Sequence, residues 1–226
     1  MATVMITGAS RGIGLGLVQE YLARGDQVIA ACRNPSVDSL KSIDSDRLRT
    51  VAIDVSDNLS IEQAAASLGD VPIDILVNNA GVGGGQQQSL HTIEPEAWLQ
   101  VLRINTLSPL FVTRAMLPGL KRATNAKVMV ISSQLGAISY PSIRLYAYES
   151  SKAAVNKVVK GLAADLHDIG VGVFAIHPGW VKTDMGGPNA AISVKECTTG
   201  LVATFDKLTL ANSGSFWQWN GTEHAW

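Results

Sequence analysis

Six short apolar runs rich in β-branched residues recur along the chain: TVMIT (3–7), QVIAA (27–31), RTVAI (49–53), IDILV (73–77), KVMVIS (127–132) and GVGVFAI (170–176). A segment of helical character separates each run from the next. Strands that are apolar throughout, without in/out alternation, suit a parallel sheet covered by helices, because both of its faces are buried. The expected architecture is therefore α/β, a Rossmann-type doubly wound parallel sheet. At 226 residues the chain is long enough for one substantial core and short for two, so residues 1–226 are expected to form a single domain. Between the first two runs, Ile13 to Arg24 reads as a helix, with Gly25 as the residue that stops it by adopting φ > 0.

Several function classes are excluded early. A net charge of -1 with 16% charged residues gives no basic field for nucleic acid. MATVMITGASRGIG reads as a strand and a turn, with no basic leader and no apolar run of membrane length, so a cytoplasmic protein with no membrane partner is expected. Cys32 and Cys197 are too few and too scattered for a disulfide framework, and they read as small buried side chains. His91, His167, His177 and His224 lack metal-ligand spacing, and no metal is expected. GVGGGQQQ (81–88) reads as a surface loop, and there is no internal repeat.

Chemistry concentrates in two places. Thr7-Gly8-Ala9-Ser10-Arg11-Gly12-Ile13-Gly14 follows the first strand and opens the first helix. Gly8 suits the tight turn, Gly12 lets backbone approach a pyrophosphate, and Gly14 permits close helix packing, while the helix N-terminus faces the anion. The second place is SSQLGAISYPSIRLYAYESSK (132–152). Tyr148 and Lys152 stand four residues apart, one turn on one helix face, whereas Tyr146 is followed at that spacing by Ser150 and Tyr140 by Arg144. Tyr148 is therefore the candidate for chemistry. Ser132 and Ser133 are consecutive at a strand end, so only one of them can face a cleft.

In these two motifs the chain resembles the short-chain dehydrogenase/reductase family, which carries a Thr-Gly-x-x-x-Gly-x-Gly cofactor turn and a Tyr-x-x-x-Lys site. The resemblance extends further. Asp54 and Val55 close the third strand where the family contacts adenine, and Asn78-Asn79-Ala80-Gly81 matches the family's Asn-Asn-Ala-Gly. Asn105 matches its active-site asparagine, and Ser133 its catalytic serine in Ser-x-x-Gly. Pro178-Gly179-x-Val181-x-Thr183 matches the loop that meets the nicotinamide. The catalytic set implied is Ser133, Tyr148, Lys152 and Asn105, with Ser10, Arg11 and Ile13 joining the glycines in the cofactor turn. Ser133 and Tyr148 are fifteen positions apart, two more than is usual in the family, so the loop containing Pro141 is enlarged. With the brief DMGGPNAAIS segment after Thr183 and the GTEHAW ending, the chain is similar to small carbonyl reductases of the Sniffer and C-factor type.

The implied reaction is reduction of a ketone or aldehyde. Oxygen gains negative charge as the carbon accepts hydride, which calls for a proton donor and a second hydrogen bond. Tyr148 and Ser133 supply these. Lowering a phenol pKa from ~10 by about three units takes roughly 4 kcal/mol, and a cation about 4 Å away provides approximately that at an effective dielectric near 20. Lys152 is expected to be that cation, with the oxidised nicotinamide as a second, and by resemblance to hold the cofactor ribose, while Asn105 positions a proton-relaying water. Ser132 is expected to bond a backbone group. Tyr140 and Tyr146 are expected to border the pocket, and Trp180 to wall an apolar substrate. The second strand ends Ala30-Ala31-Cys32-Arg33, without the carboxylate that NAD-preferring members use, so Arg33 with Arg11 points to NADP(H). A rival reading keeps fold and cofactor but makes the output an interaction. Residues 153–166 (AAVNKVVKGLAADL) offer apolar surface for a homodimer or homotetramer.

Overall fold

The computed structural model describes residues 1–85 and 87–226. Seven strands, β1 (Thr3–Thr7), β2 (Gln27–Cys32), β3 (Leu48–Ala52), β4 (Ile75–Asn78), β5 (Lys127–Ile131), β6 (Gly172–His177) and β7 (Phe216–Gln218), form one parallel sheet in the order β3-β2-β1-β4-β5-β6-β7. The helices are α1 (Gly12–Ala23), α2 (Asp38–Lys41), α3 (Asn58–Leu68), α4 (Pro95–Leu102), α5 (Ser108–Leu120), α6 (Tyr146–His167) and α7 (Val194–Lys207), with a π-helical turn, Arg103–Leu107, joining α4 to α5.

Both sheet faces are buried, as the unbroken apolar strands require. Along β1, Met5 points into a core shared with α3, α5 and α6, while Val4 and Ile6 point into one shared with α1 and α7. The six expected strands are present, with β4 starting at Ile75 because Asp74 turns back to accept the Thr3 N–H at 2.7 Å. Helix α1 begins one residue earlier than expected, and Gly25 takes φ 86° as its stop.

The seventh strand was not anticipated. It has three residues, too few for a pattern, and tertiary contact defines it. The His224 N–H donates to the Phe216 carbonyl at 2.7 Å and the Gln218 N–H to the Thr222 carbonyl at 2.8 Å, so the C-terminal segment folds back over this edge. Trp226 stacks on Phe216 with ring centroids 5.3 Å apart, and Trp217 and Trp219 pack against the core of α1 and α7. No helix among the described residues is long and apolar enough to cross a membrane.

Candidate active site

The strand order reverses between β1 and β4, and the cleft outside the C-terminal ends of the strands at such a point is the usual ligand position in such folds. The glycine turn lines one side. Thr7 Oγ1 accepts the N–H groups of Asn79 and Ala80 at 3.0 and 3.1 Å, and Asn79 Nδ2 donates to the Thr7 carbonyl at 2.9 Å. These bonds lock the turn to the Asn79-Ala80-Gly81 segment. A Cβ on Gly14 would lie 2.3 Å from the Gly8 carbonyl oxygen, so only glycine lets α1 begin so near the strand end. Arg11, the residue before α1, offers no side-chain acceptor to the first-turn N–H groups. Those donors suit an anion, so the turn fits a phosphate group.

Farther along the cleft, Asp54 Oδ1 accepts Ser56 Oγ–H and N–H at 2.7 and 2.9 Å, and these bonds hold its carboxyl below the usual carboxylate value. Val55 follows, packed against the core. Arg33 is exposed beside this corner. Arg11, however, is already occupied, its Nη1 standing 2.8 Å from Asp184 Oδ2 in an exposed ion pair. The two arginines therefore do not stand equally ready for a phosphate.

Opposite the turn, Ser133, Tyr148 and Lys152 come together because Gly136 lets α6 press in. A Cβ there would lie 2.5 Å from the Lys152 carbonyl carbon. Ser133 is extended, and its Oγ accepts the Leu135 N–H at 3.2 Å. Lys152 is 5% exposed, donates to the Ile131 carbonyl at 2.8 Å and sits 5.6 Å from the Tyr148 ring centroid. Burial lowers its pKa to about 8. Burial also pushes the Tyr148 phenol above its ordinary value, and the Ser133 hydroxyl offsets only part of this. Desolvation of the phenolate therefore dominates in the protein by itself, whereas the expected lowering called on Lys152 and the oxidised nicotinamide together. Tyr140 and Tyr146 are each 41% exposed, the first accepting from Gln134 Nε2 and the second lying against Trp98. Of the three tyrosines, Tyr148 is the half-buried one, and it stands with the serine and the lysine.

Asn105, in the π-helical turn, is 2% exposed. Its Oδ1 accepts the Val82 N–H at 2.9 Å, and its Nδ2 donates to the Val82 carbonyl at 2.8 Å and to Ser151 Oγ at 3.0 Å. Both amide hydrogens are committed, so the side chain acts on the loop after β4. Ser132 also differs from expectation, since its hydroxyl donates to a side chain, Asn156 Oδ1, at 2.5 Å. Asn156 in turn donates to the Gly136 carbonyl at 3.2 Å. Asn156 was legible in principle, because Tyr148, Lys152 and Asn156 recur every four residues along one face of α6.

Residues 178–186 cross the mouth of the cleft. Gly179 has φ 85°, and Cys197 Sγ donates to the Pro178 carbonyl at 3.1 Å. Val181 bridges to Ile192, and Thr183 Oγ1 accepts the Gly186 N–H at 3.1 Å. Thr183 Cγ2 lies 3.4 Å from the Cβ position of Gly12, and Met185 Cγ lies 3.6 Å from that of Gly83, so this loop touches both the glycine turn and the loop after β4. Ile138, Ile143, Trp180 and Met185 remain exposed on the loops at this end of the sheet.

Residues 2–192 match the family described as short chain dehydrogenase. C-signal of Myxococcus xanthus is 38% identical over 156 residues, which cover 69% of this chain and 93% of that protein. The 1-hydroxy-2-glutathionyl-2-methyl-3-butene dehydrogenase of Rhodococcus sp. (strain AD45) is 32% identical over 100% of both chains. Among solved structures, the NADPH-bound carbonyl reductase from chicken fatty liver superimposes with a TM-score of 0.93 at 32% identity, covering 100% of this chain and 99% of its own. The carbonyl reductase Sniffer of D. melanogaster does so with a TM-score of 0.93 at 30% identity, covering 100% of both chains.

Proposed function

The chain belongs to the short-chain dehydrogenase family, and from that premise we propose that it is an NADPH-dependent carbonyl reductase in which Tyr148 gives the proton to a ketone or aldehyde oxygen. The observation that carries this reading is the grouping of half-buried Tyr148 with Ser133 and Lys152 opposite a glycine turn that fits a phosphate. The turn residues Gly8 to Gly14, Asp54, Val55, residues 79–81, Lys152 and residues 178–183 would hold NADPH, which would supply the hydride. Ser133 hydrogen-bonds the carbonyl oxygen and Tyr148 protonates it. Lys152, whose pKa burial lowers to about 8, is the cation assigned to stabilise the tyrosinate left behind. The exposed Trp180, Met185, Ile138 and Tyr140 favour an apolar substrate. The test is loss of absorbance at 340 nm with a panel of ketones and diketones. A second reading, a cofactor-binding protein whose output is an interaction, is favoured by the identity to the protein named C-signal. No turnover of any carbonyl would favour it over ours.

Cofactor preference is assigned chiefly to Arg33. Arg11 must first leave Asp184, although an exposed pair of this kind is worth only about 0–1 kcal/mol. A charge-assisted bond of about 1.5–3 kcal/mol to the 2′-phosphate corresponds to roughly a tenfold to hundredfold preference for NADPH over NADH. Arg33→Ala is expected to raise the KM for NADPH by that factor and to leave the KM for NADH unchanged. Equal constants for both cofactors in the unmodified protein would refute the assignment.

A homodimer or homotetramer is also proposed, with a change of surface. Within residues 153–166, Val155, Val159, Leu162 and Leu166 are consumed by the core, and no large apolar side chain among the described residues there is exposed. Leu99 on α4 and Leu107 in the π-helical turn are 56% and 47% exposed, and they are the side chains expected to be covered. Light scattering at micromolar concentration is expected to show a dimer or larger, with Leu99→Lys weakening it. A monomer throughout would remove the idea.

A further inference from the structure

Helix α6 starts after Leu145, whose side chain cannot cap, so the N–H groups of its first turn need partners from elsewhere. The Tyr148 N–H finds one sixty residues upstream, donating to Gln88 Oε1 at 2.9 Å. Gln88 is 1% exposed. Its Nε2 uses both hydrogens, to the carbonyls of Gly83 at 2.6 Å and Gly85 at 2.7 Å. A buried carboxamide with two donors and an acceptor in use is held in one orientation, and it holds whatever it bonds. The run of glycines now has a physical reason. Gly84 adopts φ 80°, and a Cβ there would lie 2.9 Å from Val101 Cγ2 and 3.1 Å from Gln88 Nε2, so this close wrapping around the amide requires glycine. The low-complexity stretch read as a plain surface loop thus encloses a buried side chain; Gln86 within it lies outside the described residues.

The same loop reaches Tyr148 a second time. Asn105 binds Val82 through both main-chain groups and donates to Ser151 Oγ, and Ser151 Oγ donates to the Tyr148 carbonyl at 2.7 Å. The N–H and the C=O of Tyr148 are therefore both tied, through two side-chain amides, to residues 82–85, which continue from the Asn79-Ala80-Gly81 wall of the cleft. We propose that Gln88 is a positioning residue for Tyr148: its carboxamide fixes the first turn of α6 to the loop after β4 and so sets where the phenol stands relative to the cofactor cradle. The inference rests on Tyr148 being the proton donor.

Gln88→Leu keeps the bulk and removes all three bonds. Displacing a reacting group by about 1 Å can cost on the order of 10²-fold, so kcat for ketone reduction is expected to fall about 10- to 100-fold, with the KM for NADPH within about threefold of the unmodified value. The Tyr148 amide is expected to exchange with solvent hydrogen roughly 3- to 10-fold faster, the loss of one bond of about 1 kcal/mol. Gln88→Glu keeps an acceptor for that N–H but sets a carboxylate oxygen against the Gly83 and Gly85 carbonyls that Nε2 now serves, so it is expected to lose kcat as well. An unchanged kcat in folded Gln88→Leu overturns the proposal. If Gln88→Leu does not fold, Gln88→Met is judged by the same criteria. Should the unmodified protein reduce no carbonyl, the reductase reading fails. Amide exchange then decides the positioning separately: faster exchange confined to Tyr148 and residues 81–85 upholds it, and no change refutes it.

Discussion

Tyr148→Phe is expected to lower kcat for ketone reduction by about 10²–10⁴-fold, the usual contribution of a positioned general acid. The substitution removes one hydroxyl and keeps the ring beside which Lys152 Nζ sits 5.6 Å from the centroid, so folding and NADPH affinity are expected to survive. The loss is expected mainly in kcat, because the proton is needed in the transition state and not in binding. Phe at 140 or 146 is expected to change chiefly KM, since both side chains are 41% exposed and stand apart from the serine and the lysine. The check is steady-state kinetics of the three variants, with fluorescence titration of NADPH as the control for binding. If Tyr148→Phe kept most of the activity while Tyr146→Phe abolished it, the assignment of the acid would be wrong.

Lys152→Met is expected to inactivate the enzyme and to stabilise the cofactor-free protein. Its pKa falls from an ordinary 10.5 to about 8 on folding, because burial penalises the charged ammonium. A base whose folded pKa is depressed destabilises the fold below that pKa, and the penalty disappears as pH rises from about 8 to 10.5. The shift corresponds to an upper bound of about 3 kcal/mol at neutral pH. The lost hydrogen bond to the Ile131 carbonyl offsets about 1 kcal/mol of this. A net gain of roughly 2 kcal/mol corresponds to a Tm higher by about 4–8 °C for a chain of this size, and the gap between variant and parent is expected to close as pH rises from about 8 to 10.5. The same substitution removes the cation that stabilises the tyrosinate, and kcat is expected to fall by at least about 10²-fold. Thermal unfolding across that pH range, alongside the 340 nm assay, measures both. A variant less stable than its parent at pH 7 would show that Lys152 contributes to the fold more than burial costs it. The proposed trade-off between stability and activity would then be wrong.

What was legible in the sequence is what short-range geometry encodes. The six apolar runs specify strands of a sheet buried on both faces, because an unbroken apolar run of strand length needs no partner to be read. The glycine turn between β1 and α1 and the recurrence of Tyr148, Lys152 and Asn156 every four residues are local in the same sense. The identities of Ser133 and Asn105 as site candidates came from the motif around each. The way those side chains are held was not local. Gln88 reaches Tyr148 across sixty residues, Arg11 meets Asp184 across 173, and Asn105 bonds Val82 and Ser151, which lie on different elements. A hydrogen bond between residues so far apart leaves no spacing in the chain, since its geometry exists only once the sheet has brought the loops to one edge. The short β7 and the upward shift of the Tyr148 phenol are of the same kind. Three residues become a strand by pairing with β6 and being covered by the C-terminal segment, and a phenol's pKa answers to how much water the packed helices and loops remove from it. The sequence by itself determined the layers, the turn and the face of α6 that carries the chemistry. Tertiary structure decided which arginine is already paired, what bonds the backbone of Tyr148 and which way the phenol's proton affinity moves, because desolvation and long-range partners are properties of the packed molecule.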